Sequence, residues 1–399
     1  MAEFPWLTIV GLGENGPAGL APASLAALDA AEIILGPPRH LHLLGDVSRE
    51  TREWPVPFSA GLPMLMELRG RKVAVLVSGD PFWFGAASIL TRELGADEWR
   101  ALPAPGCFSL AAARTGFALQ DTVCIALHAA PMSRLRPHLA PGRPIIATLR
   151  DGAAVPALAA YLAEAGFGDS RITVLEALGG PRERIEVIRA RDGAAAAFGH
   201  PVCAAIEVIG DGSVLPVISG IDDSFFDNDG QISRRPVRAL TLSALAPRPG
   251  ELLWDIGGGS GSIAIEWLLA DPSMQAISIE RRADRAARIA ANAVRLGVDR
   301  LRVVEGVAPD SLEGLEAPQA VFIGGGLSDR LLETLAERLP GGTRLVANAV
   351  TLESEALLAG WQARMGGSLL RIDLSEAAPL GSLRGWRAAY PVVQWSVTL

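Results

Sequence analysis

Acidic residues and glycines follow apolar runs in the second half of the sequence. Residues 252–262 read LLWDIGGGSGS, where an apolar run ends at Asp255 and opens into Gly257, Gly259 and Gly261 ahead of the helical stretch IAIEWLL. Glycines at such a turn let backbone amides approach a ligand closely, and the start of the following helix favours anionic groups. The pattern predicts a loop that binds a nucleotide-type cofactor.

A second acidic residue lies where a ribose ligand would be expected. The stretch AISIERR, residues 276–282, is another apolar run and closes on Glu280. In dinucleotide-binding folds, a carboxylate about 20 residues beyond the glycine loop binds the ribose. A glutamate here could instead lie at the start of a helix and interact with its dipole. The loop and the glutamate together favour a cofactor site, although a nicotinamide dinucleotide and another nucleoside cofactor both fit.

Further strand ends carry small or polar residues. They lie in RVVEGVAPDSL (302–312), QAVFIGGGLSD (319–329) and TRLVANAVTLES (343–354), the last of which contains Asn348 and Glu353. In an open α/β sheet, ligands bind outside the carboxyl ends of the strands near the switch point. We therefore expect these segments to outline one crevice.

Composition narrows the class of protein. With 399 residues, of which 49% are hydrophobic, the chain is long enough for two or three domains with their own cores. The net charge of −8 and the lack of a long basic run argue against nucleic acid as the main partner. Cys107, Cys124 and Cys203 offer neither a disulfide framework nor zinc spacing. No apolar run approaches the roughly 20 residues of a membrane span, and the N-terminus lacks a signal-peptide pattern. We expect a cytoplasmic protein with no membrane partner.

Strand-like and helical runs alternate through both halves, which predicts parallel sheets covered by helices. The alternation fails around residues 206–236, a glycine- and proline-containing stretch with an acidic cluster of Asp222, Asp223, Asp227 and Asp229, and then restarts. We therefore predict an α/β domain over 1–210, a linker over 211–221 and a second α/β domain over 222–399. A solvated linker is the preferred interpretation of the aspartates, because their spacing does not match a calcium loop.

Residues 222–399 resemble the CbiT-type domain of cobalamin biosynthesis. The resemblance rests on DDSFFDNDGQISRRPVRALTLSAL, WDIGGGSGSIAIEW, ISIER, GVAP, VFIGGG and NAVTLE, in that order. It implies a Rossmann-like class I methyltransferase domain that binds S-adenosylmethionine, with Asp255 where such enzymes have an acceptor. The loop reads GGGSG where relatives often have GxGTG, and serine keeps the hydroxyl. The cofactor contacts that the resemblance implies are Ser233, Asp255, Gly257, Gly258, Gly259, Ser260, Gly261, Glu280 and Ala308.

Residues 5 to about 210 resemble the tetrapyrrole methylase family, which consists of two α/β subdomains and uses the same cofactor. The motifs are IVGLGENGPAG, LVSGDPFWFG, PAPGCFSLAAARTG and ITVLEALGGPRERI, of which GDP at 79–81 is the most telling. The opening reads GLGENG where many members have a GxGPG form. The cofactor contacts that this resemblance implies are Ser78, Gly79, Asp80, Trp83, Phe108 and Ser109.

Together the two resemblances imply methylation of a tetrapyrrole at two meso carbons and loss of carbon dioxide from its acetate side chain. C5 would be methylated by the N-terminal domain; C15 methylation and decarboxylation would belong to the C-terminal domain. Because planar guanidinium groups pair with carboxylates, we expect arginines around the pocket, with Arg234, Arg235 and Arg238 as candidates. Asn348 and Glu353, with Arg238, are candidates for the decarboxylation, as groups that orient the acetate or relay protons.

Other interpretations stay open at this point. The substrate could be the cobalt-containing intermediate of the anaerobic route, the loop could bind a nicotinamide cofactor in an oxidoreductase, or one domain could be a non-catalytic scaffold. His40 and His42 lack a third ligand nearby, so we predict no metal site. His128 is either a pocket residue or a buried, hydrogen-bonded one. Both families tend to self-associate, so the resemblance implies a homo-oligomer.

Overall fold

The computed structural model describes residues 5–194 and 196–399. The chain divides into two compact units. We call the chain up to Met132 together with His138–Ser213 the N-terminal unit, and Ser133–Pro137 together with Val214–Leu399 the C-terminal unit. The break between Ser213 and Val214 falls inside the stretch 211–221 that the sequence predicted as a linker.

The N-terminal unit begins with a parallel five-stranded sheet in the order β3-β2-β4-β1-β5. Its central strands are apolar and buried on both faces, as is typical of parallel sheets covered by helices. The strands are β1 (Leu7–Leu12), β2 (Ile33–Gly36), β3 (Glu50–Glu53), β4 (Val73–Ser78) and β5 (Trp99–Leu102). The helices are α1 (Pro22–Ala30), α2 (Pro38–Leu44), α3 (Gly61–Met66) and α4 (Ala87–Leu90).

A second five-stranded sheet in this unit has the order β6-β7-β10-β8-β9. Only β6 and β7 are parallel, whereas β7, β10, β8 and β9 pair antiparallel. The expectation of parallel sheets is therefore wrong here, because alternation along the chain does not fix strand direction. The strands are β6 (Val123–Ala126), β7 (Pro144–Leu149), β8 (Arg171–Glu176), β9 (Arg184–Arg189) and β10 (Val202–Glu207), and the helices are α5 (Cys107–Thr115) and α6 (Ala154–Glu164).

The C-terminal unit is built on a seven-stranded sheet in the order β13-β12-β11-β14-β15-β19-β16. The first five strands are parallel, and β19 runs antiparallel to both of its neighbours. The strands are β11 (Leu252–Ile256), β12 (Gln275–Glu280), β13 (Arg302–Glu305), β14 (Ala320–Ile323), β15 (Arg344–Ala349), β16 (Ser368–Ile372), β17 (Ser375–Leu380), β18 (Leu383–Ala388) and β19 (Val392–Thr398). The helices are α7 (Arg235–Leu245), α8 (Ser262–Ala270), α9 (Ala283–Arg295), α10 (Asp329–Arg338) and α11 (Leu352–Met365).

Helices cover both faces of this sheet. Leu253 of β11 packs into a core with Trp267 of α8 and Ile289 of α9. Its neighbour Trp254 faces the opposite core, which α10 and α11 complete. The chain leaves β11 for β12 on one side and later returns to β14 on the other. The α/β fold class is confirmed, and this reversal places a ligand-binding switch point between β11 and β14.

Strands β17 and β18 form a separate hairpin on which Leu380, Leu383 and Trp386 are exposed. Among the helices that the structure describes, none is long and apolar enough to cross a membrane.

Candidate active sites

A cleft of about 1320 Å³ opens at the carboxyl ends of the parallel strands of the C-terminal unit. Its lining includes the glycine turn after β11, Glu280 at the end of β12, the turn after β13, the glycines after β14 and Asn348 near the end of β15. These are the segments that the sequence predicted to share one crevice. The cleft therefore lies at the topological switch point.

Two glycine turns meet at the centre of this cleft. Gly257 has a φ of +75°, and a Cβ built on it would lie 2.6 Å from the backbone nitrogen of Gly325. A side chain at Gly257 would therefore collide with the backbone of the turn after β14. Glycine at this position therefore lets the two turns pack together where the cleft is lined by backbone.

Glu280 ties the end of β12 to the same turn. Its carboxylate accepts hydrogen bonds from the backbone nitrogens of Gly259 and Arg282, each at 3.0 Å. The residue is only 4% exposed, yet it lines the cleft. A carboxylate fixed in this position can accept hydrogen bonds from ribose hydroxyls.

Asp255 does not line the cleft. Its side chain is 1% exposed and accepts a hydrogen bond from the Ser278 hydroxyl at 3.2 Å. Burial, and to a smaller extent the nearby charge of Glu280, raise the pKa of this carboxyl to about 7. The interpretation of Asp255 as a direct cofactor contact is therefore corrected, since it lies beneath the turn. Gly261, at the start of α8, also lies outside the lining, because it packs against Ile289.

Arg238 is not available to a substrate carboxylate. Its side chain is fully buried, and it donates to Glu266 at 2.5 Å and to Asp223 at 2.8 Å. It also donates to the carbonyl oxygens of Ser233 and Ile221. The predicted substrate-binding and catalytic roles of Arg238 are corrected, because its hydrogen bonds hold the segment before α7 against α8.

Two further candidates lie outside the cleft lining. Glu353 is exposed in the first turn of α11, where the helix dipole favours a carboxylate. Arg235, the first residue of α7, is also exposed and outside the lining. Neither position supports contact with a ligand in the cleft. Arg234 does line it, with its guanidinium 3.6 Å from the carboxylate of Glu376.

Most of the predicted residues of this unit do meet at the cleft. They are Ser233, Arg234, Gly257, Gly258, Gly259, Ser260, Glu280, Ala308 and Asn348. Sequence reasoning missed Arg281 and Tyr390, which also line it. Their only sequence signals were a position directly after β12 for Arg281 and a position in the short connection between β18 and β19 for Tyr390.

The cleft has two chemically different halves. The half outside β11, β12 and β13, which we call the cofactor half, contains the glycine turn together with Glu280, Arg281 and Arg285. The other half follows β15. Within the described part of the chain, the lining residues of this uncharged half are Asn348, Val350, Leu374, Ala388, Ala389, Tyr390 and Val392.

A second cleft, of about 460 Å³, lies in the N-terminal unit. Its lining includes all six residues that the tetrapyrrole methylase resemblance implied: Ser78, Gly79, Asp80, Trp83, Phe108 and Ser109. Gly79 has a φ of +53°, and a Cβ on it would lie 2.7 Å from the Cα of Gly106. As in the other unit, two glycines bring two backbone segments together.

The loop after β4 is shaped by Asp80 and carries exposed aromatic rings. The Asp80 carboxylate accepts hydrogen bonds from the backbone nitrogens of Phe82 at 2.8 Å and Trp83 at 3.1 Å. The ring centroids of Trp83 and Phe84 lie 6.0 Å and 5.6 Å from that of Phe108. Trp83 and Phe84 are about half exposed, which leaves flat apolar surface for a planar ligand.

Charged and neutral polar groups meet at one wall of this cleft. Glu14, only 7% exposed, accepts hydrogen bonds from Arg39 and, at 3.0 Å, from Arg182. His40 Nε2 lies 3.0 Å from the Ser78 hydroxyl. Burial, and then the adjacent charge of Arg39, lower the pKa of His40 to about 4, so the ring is neutral at pH 7.

The remaining histidine predictions are resolved in part. His128 lines the cleft, with its Nδ1 3.2 Å from the hydroxyl of Thr148, and it is exposed, so its interpretation as a buried residue is wrong. His40 is buried in α2, whereas His42 is exposed on it. In residues 5–194 and 196–399, no group of three His, Cys, Asp or Glu side chains is arranged to hold a metal ion.

Comparison with known proteins assigns each half of the chain to a methyltransferase class. Residues 6–192 match the family of tetrapyrrole (corrin/porphyrin) methylases. Residues 224–399 match the precorrin methyltransferase domain. The fold and its two clefts thus define a two-domain methyltransferase, which requires a methyl donor.

Full-length relatives identify the family. A protein from Sinorhizobium sp, named precorrin-6Y C(5,15)-methyltransferase [decarboxylating], is 51% identical over 399 residues, covering 99% of this chain and 96% of the relative. A protein of the same name from Mycobacterium tuberculosis is 41% identical over 406 residues, covering 98% and 99%. The chain belongs to the precorrin-6Y C5,15-methyltransferase (decarboxylating) family. The solved C-terminal domain of the Rhodobacter capsulatus member is 55% identical and covers 46% of this chain and 100% of that one, with a TM-score of 0.45.

Proposed function

We propose that this chain methylates precorrin-6Y at C5 and C15 with S-adenosylmethionine and removes carbon dioxide from its C12 acetate. The N-terminal cleft would transfer the methyl group to C5. The C-terminal cleft would transfer the other to C15 and carry out the decarboxylation. The observation that carries the proposal is the presence of two separate clefts, each with a paired glycine turn at a strand end.

Both clefts fit S-adenosylmethionine, which when bound supplies an electrophilic methyl group on a sulfonium. In the C-terminal unit, the bare backbone of Gly257 and Gly325 admits the ligand, and Glu280 would hold the ribose hydroxyls. In the N-terminal unit, Gly79 and Gly106 give the same close approach. Because an electron-rich ring carbon attacks the methyl group in line, the residues of each cleft have to align the two reactants and exclude water.

In this proposal the C-terminal unit carries out two reactions and the N-terminal unit carries out one. A relative from Salmonella typhimurium, named cobalt-precorrin-6B C(15)-methyltransferase (decarboxylating), is 30% identical over 166 residues, which cover 40% of this chain and 85% of the relative. This relative is about the size of one unit, and its name includes both C15 methylation and decarboxylation. This supports assigning both to the unit that matches the precorrin methyltransferase domain.

The metal-free substrate is preferred over the cobalt-containing one. The relatives that match the chain from end to end carry the precorrin-6Y name. Those named for cobalt-precorrin-6B match no more than 40% of it.

The mass of the product tests the proposal. The full-length chain, given precorrin-6Y and methyl-labelled S-adenosylmethionine, should yield a product that has gained two methyl groups and lost one carbon dioxide. Methylation without loss of carbon dioxide would contradict the decarboxylase assignment. Binding of NADH in place of S-adenosylmethionine, measured by fluorescence titration, would favour an oxidoreductase instead.

Self-association is a further proposal, and it rests on the family resemblance. A cytoplasmic location and the absence of nucleic acid and membrane partners are also proposals, which rest on the charge balance, the dispersed cysteines and the lack of a long apolar run. Sedimentation velocity of the full-length chain would test the first of these. A single species with the mass of one chain would contradict it.

A further inference from the structure

Three polar side chains form a buried network beside the uncharged half of the C-terminal cleft. They come from α7 (Thr241), the end of β15 (Asn348) and β19 (Gln394). Asn348 Nδ2 donates to Thr241 Oγ1 at 2.9 Å, and Gln394 Nε2 donates to Thr241 Oγ1 and to Asn348 Oδ1, each at 3.0 Å. Thr241 and Gln394 are 0% and 3% exposed, whereas Asn348 is half-buried and lines the cleft.

The network fixes which way the Asn348 carboxamide points. Both Nε2 hydrogens of Gln394 are used, one on Thr241 and one on Asn348 Oδ1. A flipped Asn348 would set its amino group against that of Gln394, two donors with no acceptor between them. The Asn348 amide therefore keeps its oxygen toward Gln394. One of its two N–H groups is used on Thr241, and within residues 5–194 and 196–399 no protein group accepts from the other, so a ligand could do so.

We propose that Asn348, positioned by Thr241 and Gln394, binds the carboxylate that the substrate loses, and that the uncharged half of the cleft is the decarboxylation site. This inference rests on the proposed function and names the part of the cleft that carries out its second reaction. A carboxylate can accept the free Asn348 N–H. The charged residues of the cofactor half lie on the other side of the switch point.

The lack of charge in this half suits the chemistry. The bond between the acetate methylene and its carboxyl carbon breaks, and the electron pair passes into the conjugated macrocycle as neutral carbon dioxide leaves. A proton from water then adds to the methylene carbon, which becomes a methyl group. Negative charge leaves the carboxylate during this step, so a neighbouring arginine would stabilise the starting state more than the transition state. One neutral donor orients the group without that penalty.

Arg234 supplies the contrast within the same cleft. It lines the cleft, and its guanidinium is more than half exposed. A carboxylate paired there would be stabilised as an anion and retained. Arg234 thus offers a charged contact for side chains that stay, whereas Asn348 offers an uncharged donor for the one that is lost.

The test substitutes Asn348 in the full-length protein. Asn348→Asp keeps the shape and can still accept from Thr241 and Gln394, but it replaces the free donor with a negative charge. Carbon dioxide release from saturating substrate should fall by about 100-fold, in line with the loss of a hydrogen bond to a charged group and added repulsion. Binding of S-adenosylmethionine should stay within about threefold of wild type, because its proposed contacts are in the cofactor half. Gln362→Glu, an amide-to-acid change at a half-buried residue of α11 outside the cleft lining, is the matched control and should release carbon dioxide at the wild-type rate.

Substitution of Thr241 tests whether this residue positions Asn348. Thr241→Val removes only the hydroxyl and should slow carbon dioxide release by about tenfold, the effect of one neutral hydrogen bond, with little change in KM. Thr241→Ser, which restores the hydroxyl, should recover most of the rate.

Either of two results would overturn the inference. One is release of carbon dioxide by Asn348→Asp within about threefold of wild type, well below the loss expected for a charge-assisted hydrogen bond. The other is a loss wholly explained by weaker binding of substrate or cofactor. If the wild-type chain itself methylates its substrate without releasing carbon dioxide, the proposed function fails instead.

Discussion

The two clefts share a pair of closely packed glycines but differ in the residues that surround the pair. In each, two glycines from separate segments let backbone pack closely against backbone in the cleft lining, Gly79 with Gly106 and Gly257 with Gly325. The N-terminal cleft surrounds its pair with aromatic rings and a buried Glu14 neutralised by two arginines. The C-terminal cleft lies above a buried Asp255 that accepts a hydrogen bond from the Ser278 hydroxyl instead of pairing with an arginine. Close packing of two backbone segments is therefore common to both clefts. The buried carboxylate near it differs, since Glu14 pairs with two arginines and Asp255 accepts from a hydroxyl.

The largest difference we expect concerns Arg238, which holds the segment before α7 in the C-terminal unit. Arg238→Met leaves the buried Glu266 without its cation and should lower the free energy of unfolding by about 3–5 kcal/mol. Arg235→Met, three residues earlier and exposed, is the matched control and should change it by less than about 0.5 kcal/mol. Urea unfolding followed by circular dichroism measures both, and equal effects would contradict the assigned role.

Asp255 should make the C-terminal unit less stable as the pH rises. Its pKa in the folded chain is about 7 against an ordinary 3.8, so the folded state binds the proton more tightly than the unfolded state. Stability is therefore lost as the pH rises from the ordinary value through about 7. Relative to Asp255→Asn, the wild type should lose about 3 kcal/mol between about pH 5 and about pH 8. Urea midpoints across that range measure the difference, and parallel curves would exclude it.

His40 should act in the opposite direction in the N-terminal unit. Its pKa is lowered to about 4 from an ordinary 6.5, so the unfolded state takes up the proton first. Stability is therefore lost as the pH falls from 6.5 towards 4. His40→Gln should remove up to about 3 kcal/mol of this acid sensitivity, and His42→Gln, exposed on the same helix, should remove none. Hydrogen exchange of β1 and β4 against pH would follow it; equal curves for the two variants would refute the prediction.

The smallest effect we expect is at Arg234, on the rim of the C-terminal cleft. Its ion pair with Glu376 is exposed and 3.6 Å long, so Arg234→Ala should leave stability nearly unchanged. If the arginine pairs with a substrate carboxylate, affinity should fall by about fivefold at low salt and less at high salt. Substrate titration at two ionic strengths measures this, and an affinity loss independent of salt would argue against a charge contact.

Local signals in the sequence predicted much of both clefts. The glycine turns and Glu280 could be assigned to one cleft from the sequence. The alternation of strand-like and helical runs predicts a parallel sheet, and the carboxyl ends of its strands converge on one edge. Burial was not predictable in the same way: Asp255 and Arg238 have the residue types of ligands, but their neighbours in space place them beneath the surface. Gln394 was missed because it lies 153 residues from Thr241, its hydrogen-bond partner. The antiparallel sheet of the N-terminal unit was missed because strand order alone does not give direction.

The central claim is that each cleft performs its own methyl transfer and that only the C-terminal one removes carbon dioxide. The most direct test is the product mass from Gly79→Ala and Gly257→Ala in the full-length chain. The controls are Gly116→Ala and Gly250→Ala, which also have positive φ values but have no atom within 4 Å of the added Cβ.

Gly257→Ala should give a product with one added methyl group and the carboxyl retained, because the added Cβ would collide with the backbone of Gly325 and displace the turn at which the two halves of the C-terminal cleft meet. Gly79→Ala should give one methyl group and loss of carbon dioxide. Each control should give both methyl groups and the loss. If both cleft variants gave the same product, or if Gly79→Ala alone retained the carboxyl, the division of labour between the two clefts would be contradicted.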